Sequence, residues 1–263
     1  MKYTILVLFS IILFNCKNVK QDISVEKQIE KQTAQSVIDT SIEVAGVNKL
    51  NNSTIEFDFR DKHYLATRNN GSYNLERQFI DQTVMYFDTI TNIRDVVNNK
   101  GFQRFVNDFP MAVQDSIAVK YAASLNSVHY FSVLPFGLND KAVNKVLLED
   151  VSVKNNMYRT VKVTFSQDGG GEDFEDEFIY WINQETKKVD YLAYSYNEDD
   201  GKGIRFREAY NERYVEGVRF VDYNNYKPED ASIALTDLPQ LFESDNLNLL
   251  SKIELENIKV KLN

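Results

Sequence analysis

The chain has 263 residues, of which 43% are hydrophobic and 13% aromatic, enough to build a well-cored domain. Its 39 acidic against 30 basic residues give a net charge of −9, which repels phosphate backbones and excludes nucleic acid as a partner. Cys16 is the only cysteine, so an intramolecular disulfide and a thiolate metal site are both excluded.

Behind Lys2, the run TILVLFSIILF from Thr4 to Phe14 has the length of a signal-peptide core and falls short of the roughly 20 residues that cross a bilayer. The next residues, Leu13-Phe14-Asn15-Cys16, resemble a bacterial lipobox, in which cleavage precedes a cysteine carrying a diacylglycerol. Leu13 fits that motif, while Phe14 and Asn15 stand where small residues are usual. The resemblance implies a signal peptide over 1–15 and lipidation of Cys16, with the membrane as a partner. The alternative is an exported protein cut a few residues later, with Cys16 incidental. Residues 16–32 hold no aromatic, Gly or Pro and read as a flexible spacer, which leaves 33–263 as one domain.

Val37, Ile38 and Ile42 fall at helical spacing and Gly46 is an end signal, so Thr33 to Ala45 reads as a helix. Ser53 to Arg60 alternates, with Ile55, Phe57 and Phe59 on one face, as a half-buried strand requires. Two hairpins follow. His63–Arg68 and Tyr73–Ile80 flank Asn70-Gly71, and Ile93–Asn98 and Phe102–Asn107 flank Lys100-Gly101. Asp115 to Val133 reads as an amphipathic helix capped by Asp115, and a short helix or turn is expected over Asp140–Val146.

Strands return over Val146–Val153, Tyr158–Ser166, Glu177–Ile182, Val189–Tyr196, Ile204–Arg213, Val218–Tyr226 and Leu249–Leu262, with a short helix at Leu235–Phe242. In the last strand the alternation slips at Glu256-Asn257, the mark of a β-bulge. The sum is α+β: about eleven strands in a large curved antiparallel sheet, with an N-terminal helix and a central helical insert.

The strands around Trp181 and Tyr191 are apolar on both faces, so one face is free to line a concave cavity for a lipid or other apolar small molecule. Phe57, Phe59, Phe79, Trp181 and Tyr191 are the candidate lining residues. The competing reading is ordinary core on both faces. Arg77 shares a face with Leu75 and Phe79, so its charge needs either a carboxylate or an anionic head group. Arg205, Arg207, Arg213 and Arg219, interleaved with Glu208, Glu212 and Asp222, read as cross-strand ion pairs on a solvated face.

DGGGEDFEDE, from Asp168 to Glu177, reads as a solvated loop rather than a Ca²⁺ site. His63 and His129 belong to no HExxH or GxSxG motif, so no catalytic residue, metal site or cofactor is expected.

The order of elements resembles the LolA/LolB-like fold, an incomplete barrel curved around a helical lid. The stretches STIEFDFR, RFVND, YFSVLPFGLND, EDEFIYWIN, DYLAYSY, GIRFREAYN and NYKP resemble a family of uncharacterised Bacteroidetes lipoproteins. Together these resemblances imply an outer-membrane-anchored lipoprotein of the cell envelope, facing the periplasm, that binds or carries an apolar ligand without catalysis. The alternatives are an envelope hydrolase or lyase, or a protein–protein interaction module.

Overall fold

Helix α1 (Ala34–Ala45) starts where Thr33 supplies an oxygen: its Oγ1 accepts from the Ser36 amide at 3.1 Å while the Ser36 hydroxyl accepts from the Thr33 amide at 3.0 Å. This reciprocal pair satisfies two of the donors that a helix start leaves orphaned. The helix ends at Gly46, whose φ of 68° is left-handed. A Cβ there would lie 2.0 Å from the Gly217 carbonyl oxygen, so glycine alone permits this close approach. The computed structural model describes residues 32–81, 90–168, 174–198 and 201–263. The expected signal peptide, Cys16 and nearly all of the expected spacer lie outside them.

A 3₁₀ turn, Val47–Asn51, leads into six strands: β1 (Asn52–Phe59), β2 (Lys62–Asn69), β3 (Ser72–Asp81), β4 (Thr91–Asn98), β5 (Gly101–Val106) and β6 (Phe109–Met111). The central helix α2 (Asp115–Ser132) follows. The second half contains β7 (Val143–Leu147), β8 (Val151–Val153), β9 (Asn156–Phe165), β10 (Glu177–Asn183), β11 (Val189–Glu198), β12 (Gly201–Val215) and β13 (Val218–Lys227). A 3₁₀ turn (Leu235–Asp237) runs into α3 (Leu238–Glu243), and β14 (Asn248–Ile253) and β15 (Glu256–Leu262) close the chain.

The fold is α+β, and its strands lie in two open antiparallel sheets. Sheet A has the order β15-β1-β2-β3-β4-β5-β6; sheet B has β14-β13-β12-β11-β10-β9-β7, with β8 also on β9. The fifteen strands among the described residues exceed the expected eleven for local reasons. Val146–Val153 is divided between β7 and β8, and Asp140 begins a turn into β7 rather than a helix. Short β6 contains Pro110, tolerated because it sits on a sheet edge. Asp115 is the first residue of α2; Gln114 takes the cap position without a side-chain capping bond.

The expected last strand is two strands in different sheets. β14 pairs with β13 at the edge of sheet B, and two residues later β15 pairs with β1 at the edge of sheet A. The bulge is present as well. Between the pairs Glu56/Lys259 and Asp58/Glu256, β15 carries one extra residue, and Asn257 there has a φ of 52°.

Asp222 on β13 pins the crossover. Its Oδ1 accepts from the Leu255 amide at 2.9 Å and from Arg213 Nη2 at 2.9 Å, and its Oδ2 accepts from Asn211 Nδ2 at 2.6 Å. Arg213 Nη2 also donates to the Leu255 carbonyl at 2.6 Å. Asp222 is only 2% exposed, so these donors replace the water its charge has lost.

Sheet B is covered on both faces. Tyr180, Ile182 and Leu192 meet Val37 and Ile38 of α1 and Phe131 of α2, while Ile179, Trp181, Tyr191 and Phe206 meet Leu235, Leu238 and Phe242. Sheet A buries one face, with Ile55, Phe57, Tyr64 and Leu75 packed near Leu125 and Val133.

Removing the Asp222 carboxylate strands Arg213 and the Leu255 amide at the joint. Asp222→Ala is expected to lose about 3 kcal/mol of stability in urea unfolding. Unchanged stability would show that the joint does not depend on this carboxylate.

Candidate functional site

Helix α2 lies between the two sheets and is held differently by each. On the sheet A side, Arg77 Nη1 donates to Ser124 Oγ at 3.1 Å, and Arg77 Nη2 donates to Asp95 Oδ2 at 2.7 Å. Asp95 is fully buried and also accepts from Arg104 Nε at 2.6 Å and Nη2 at 2.9 Å. Arg77 and Asp95 are direct cross-strand partners, as are Asp95 and Arg104, so the ladder itself places one carboxylate between two guanidiniums. Arg104 stacks over Tyr121 of α2, with its charge 3.9 Å from the ring centroid. The inward charge of Arg77 thus finds a carboxylate.

His129 of α2 completes this side. It is 1% exposed, its ring packs edge-on against Phe57 and Tyr64, and its Nε2 donates to the Glu76 carbonyl at 3.0 Å. That bond selects the Nε2–H tautomer and leaves Nδ1 without a hydrogen. Nδ1 has no hydrogen-bond partner among the described residues.

On the sheet B side the contacts are aromatic. The Tyr130 and Tyr180 hydroxyls lie 2.6 Å apart, and burial pushes the pKa of both upward. Phe131 packs against Phe178 and Tyr194.

Beside these contacts, a cavity of about 60 Å³ lies under the C-terminal half of α2. Val128 and Phe131 of α2, Phe59 at the end of β1, Val221 and Tyr223 of β13, and Leu255 at the crossover form much of its wall. Arg207 of β12 also lines it. This arginine is 7% exposed, lies over Phe131 with its charge 3.8 Å from the ring centroid, and donates from Nη2 to the Tyr194 hydroxyl at 2.8 Å. Its Nε and Nη1 have no hydrogen-bond partner among the described residues.

The expected solvated ion-pair face is therefore corrected. Arg213 pairs with Asp222, and Arg219, itself buried, pairs with Glu212 at 2.6 Å, but Arg205 lies over the Tyr196 ring and Arg207 forms no ion pair among the described residues. The reason is that Arg207 and Leu192 are opposite each other in the ladder and share a face of sheet B that the helices cover.

The expected lining residues are not gathered in one place. Phe59 lines the cavity. Phe57 is core of sheet A, and Trp181 and Tyr191 lie in the core under α3, on the other side of sheet B. Phe79 lines an open polar groove with Asp58, Lys62 and His63. In that groove His63 Nδ1 lies 2.7 Å from Asp58 Oδ1, and the Asn257 amide followed by His63 holds Asp58 below the usual carboxylate range. Much of the Asp168–Glu177 loop lies outside the described residues, as does Cys16. Among the described residues no cluster of His, Cys, Asp or Glu has the makings of a metal site, and no helix is long and apolar enough to cross a membrane.

Two open antiparallel sheets holding a helix and a small interior cavity define the class: an α+β protein whose candidate site is a mainly apolar cavity with one buried cation. The chain belongs to a family of unknown function, DUF6503, which it matches over residues 5–255. It is similar to the solved structure of a LolA-superfamily protein from Nitrosomonas europaea, with 10% identity and a TM-score of 0.43, covering 88% of this chain and 92% of that one. It is also similar to a DUF1329-family protein from Desulfovibrio piger, with 7% identity and a TM-score of 0.40, covering 88% of this chain and 94% of that one. No curated protein matches the sequence.

Burial lowers the His129 pKa from its ordinary value of 6.5 to about 3. Between those values the unfolded chain takes up a proton that the folded chain refuses, so this contribution to stability is complete above pH 6.5 and declines as pH falls. The slope approaches about 1.4 kcal/mol per pH unit. Between pH 6.5 and 5, above most carboxylate titration, His129→Leu is expected to flatten the pH dependence seen in urea unfolding. Parallel curves for the two proteins would contradict a buried neutral imidazole.

Proposed function

We propose that this protein is an envelope lipoprotein, tethered through lipidated Cys16, that binds an apolar or amphiphilic molecule between its two sheets. The observation carrying this reading is the cavity under α2, walled by Phe59, Val128, Phe131, Val221 and Leu255 from four separate segments of the chain. Such a space rewards apolar occupancy by removing both ligand and wall from water. Its volume of about 60 Å³ admits the end of a ligand, so a whole acyl chain requires its walls to separate. Phe59, Val128 and Ile253 are only half-buried, and displacement of these side chains opens the cavity towards solvent.

The tether belongs to the same reading. Transferring one acyl chain to a membrane gives marginal attachment, whereas two or more hold durably, so a diacylated Cys16 keeps the domain near a lipid source. The spacer gives it reach. The net charge of −9 does not favour attachment to an anionic surface by charge alone, which leaves the acyl chains to do it.

The test is mass spectrometry of the intact protein purified without added lipid, run on wild type and on Val128→Trp, which places an indole at the cavity mouth. Wild type is expected to carry co-purifying lipid and the variant to lose most of it; a ligand-free wild type that also takes up no added lipid rejects the binding reading. Separately, acyl labelling is expected on wild type and absent from Cys16→Ala, and an unmodified Cys16 rejects the tether.

A further inference from the structure

The Arg207 guanidinium is an unusual wall for an apolar cavity. A buried cation ordinarily sits beside a carboxylate, and the two other arginines that are less than a tenth exposed among the described residues do so: Arg77 has Asp95, and Arg219 has Glu212, while the partly buried Arg68 lies over Phe136. Arg207 is 7% exposed and takes part in no ion pair among the described residues. Among the described residues its charge faces the π-systems of Phe131 at 3.8 Å, Tyr194 at 5.1 Å and Tyr223 at 5.9 Å, and the Tyr194 hydroxyl. Two of its three nitrogens, Nε and Nη1, have no acceptor among the described residues. Asn225, its direct partner across the β12–β13 ladder, leaves its own Oδ1 unpaired, so even the adjacent neutral acceptor is not engaged.

From this geometry we infer that Arg207 is the docking point for one anionic oxygen group, a carboxylate or phosphate, carried by the molecule that occupies the cavity. The inference rests on the reading of the cavity as an apolar-ligand site and adds the ligand's charge and orientation. Nε–H and the two Nη1 hydrogens lie on different edges of the guanidinium, and Nη1 alone offers an anionic oxygen a charge-assisted donor that no group among the described residues uses. The apolar part then lies against Val128, Val221 and Leu255, with Phe59 beside the opening. An anion so placed supplies the countercharge that the fold omits, in a setting where water competes weakly. The occupant is thus a single-headed anionic amphiphile such as a free fatty acid.

Titration calorimetry of the purified protein with dodecanoate, dodecanol and inorganic phosphate tests this, on wild type, Arg207→Met and Arg207→Lys. Wild type is expected to bind dodecanoate at least about tenfold more tightly than dodecanol, the gain of charge-assisted hydrogen bonds. Arg207→Met is expected to abolish that preference, and Arg207→Lys to keep part of it. Methionine preserves the aliphatic bulk and removes an unpaired charge, so the variant should fold; if it does not, the wild-type comparison of dodecanoate with dodecanol still decides.

Equal affinity for dodecanoate and dodecanol overturns the anion site and leaves the apolar site standing. Phosphate binding as tight as dodecanoate, lost in Arg207→Met, upholds the anion site but assigns it to a free anion and overturns the amphiphile. Binding of none of the three probes overturns both the inference and the reading beneath it.

Discussion

The two sheets meet through a short crossover, and one buried carboxylate holds it. Asp222 accepts hydrogen bonds from the Leu255 backbone, Arg213 and Asn211, which fixes the chain at the point where it leaves β14 for β15. Everything between the sheets inherits that geometry. Leu255 and Ile253, on either side of the joint, line the cavity, and β15 carries β1 and Phe59 to its rim. A carboxylate with fewer donors would be too costly to bury here, and a neutral residue would leave Arg213 without its charged partner.

Helix α2 uses different chemistry on its two sides. Its contacts with sheet A are directional: Arg77 to Ser124, His129 to the Glu76 carbonyl, and the Arg104 charge over Tyr121. Towards sheet B it presents Phe131 and Tyr130, whose contacts are mostly ring against ring and tolerate sliding. A ligand that parts helix from sheet meets less resistance on the aromatic side, because dispersion contacts re-form after a shift while buried directional hydrogen bonds do not. The cavity lies on that side, and so does Arg207.

Much of the fold was legible in local pattern. The alternation Ile55, Phe57, Phe59 marked β1, the Asn-Gly turn marked the hairpin of β2 and β3, and Gly46 marked the end of α1. Each signal depends on residues a few positions apart, where backbone sterics and periodicity act alone. The slip at Glu256-Asn257 was legible as a bulge. The transfer of the chain to a second sheet two residues earlier was not, since an extended segment reads the same whichever edge it joins.

The site was less legible. Arg207 occurs in the string Ile204-Arg205-Phe206-Arg207, where alternation assigns it to the polar face. Only its ladder partners, Leu192 on one side and Asn225 on the other, show that this face is interior. The signal was available in part, because the neighbouring strands β10 and β11 are apolar on both faces and a central strand beside them cannot have a solvated one. What the sequence by itself determined is most of the strands, turns and helix ends, because these follow from interactions between near neighbours. Tertiary structure alone decided that Asp95 serves two arginines, that Asp222 holds the joint and that Arg207 is left without a carboxylate. Those outcomes depend on register and on the seat of α2, which bring together residues far apart in the chain.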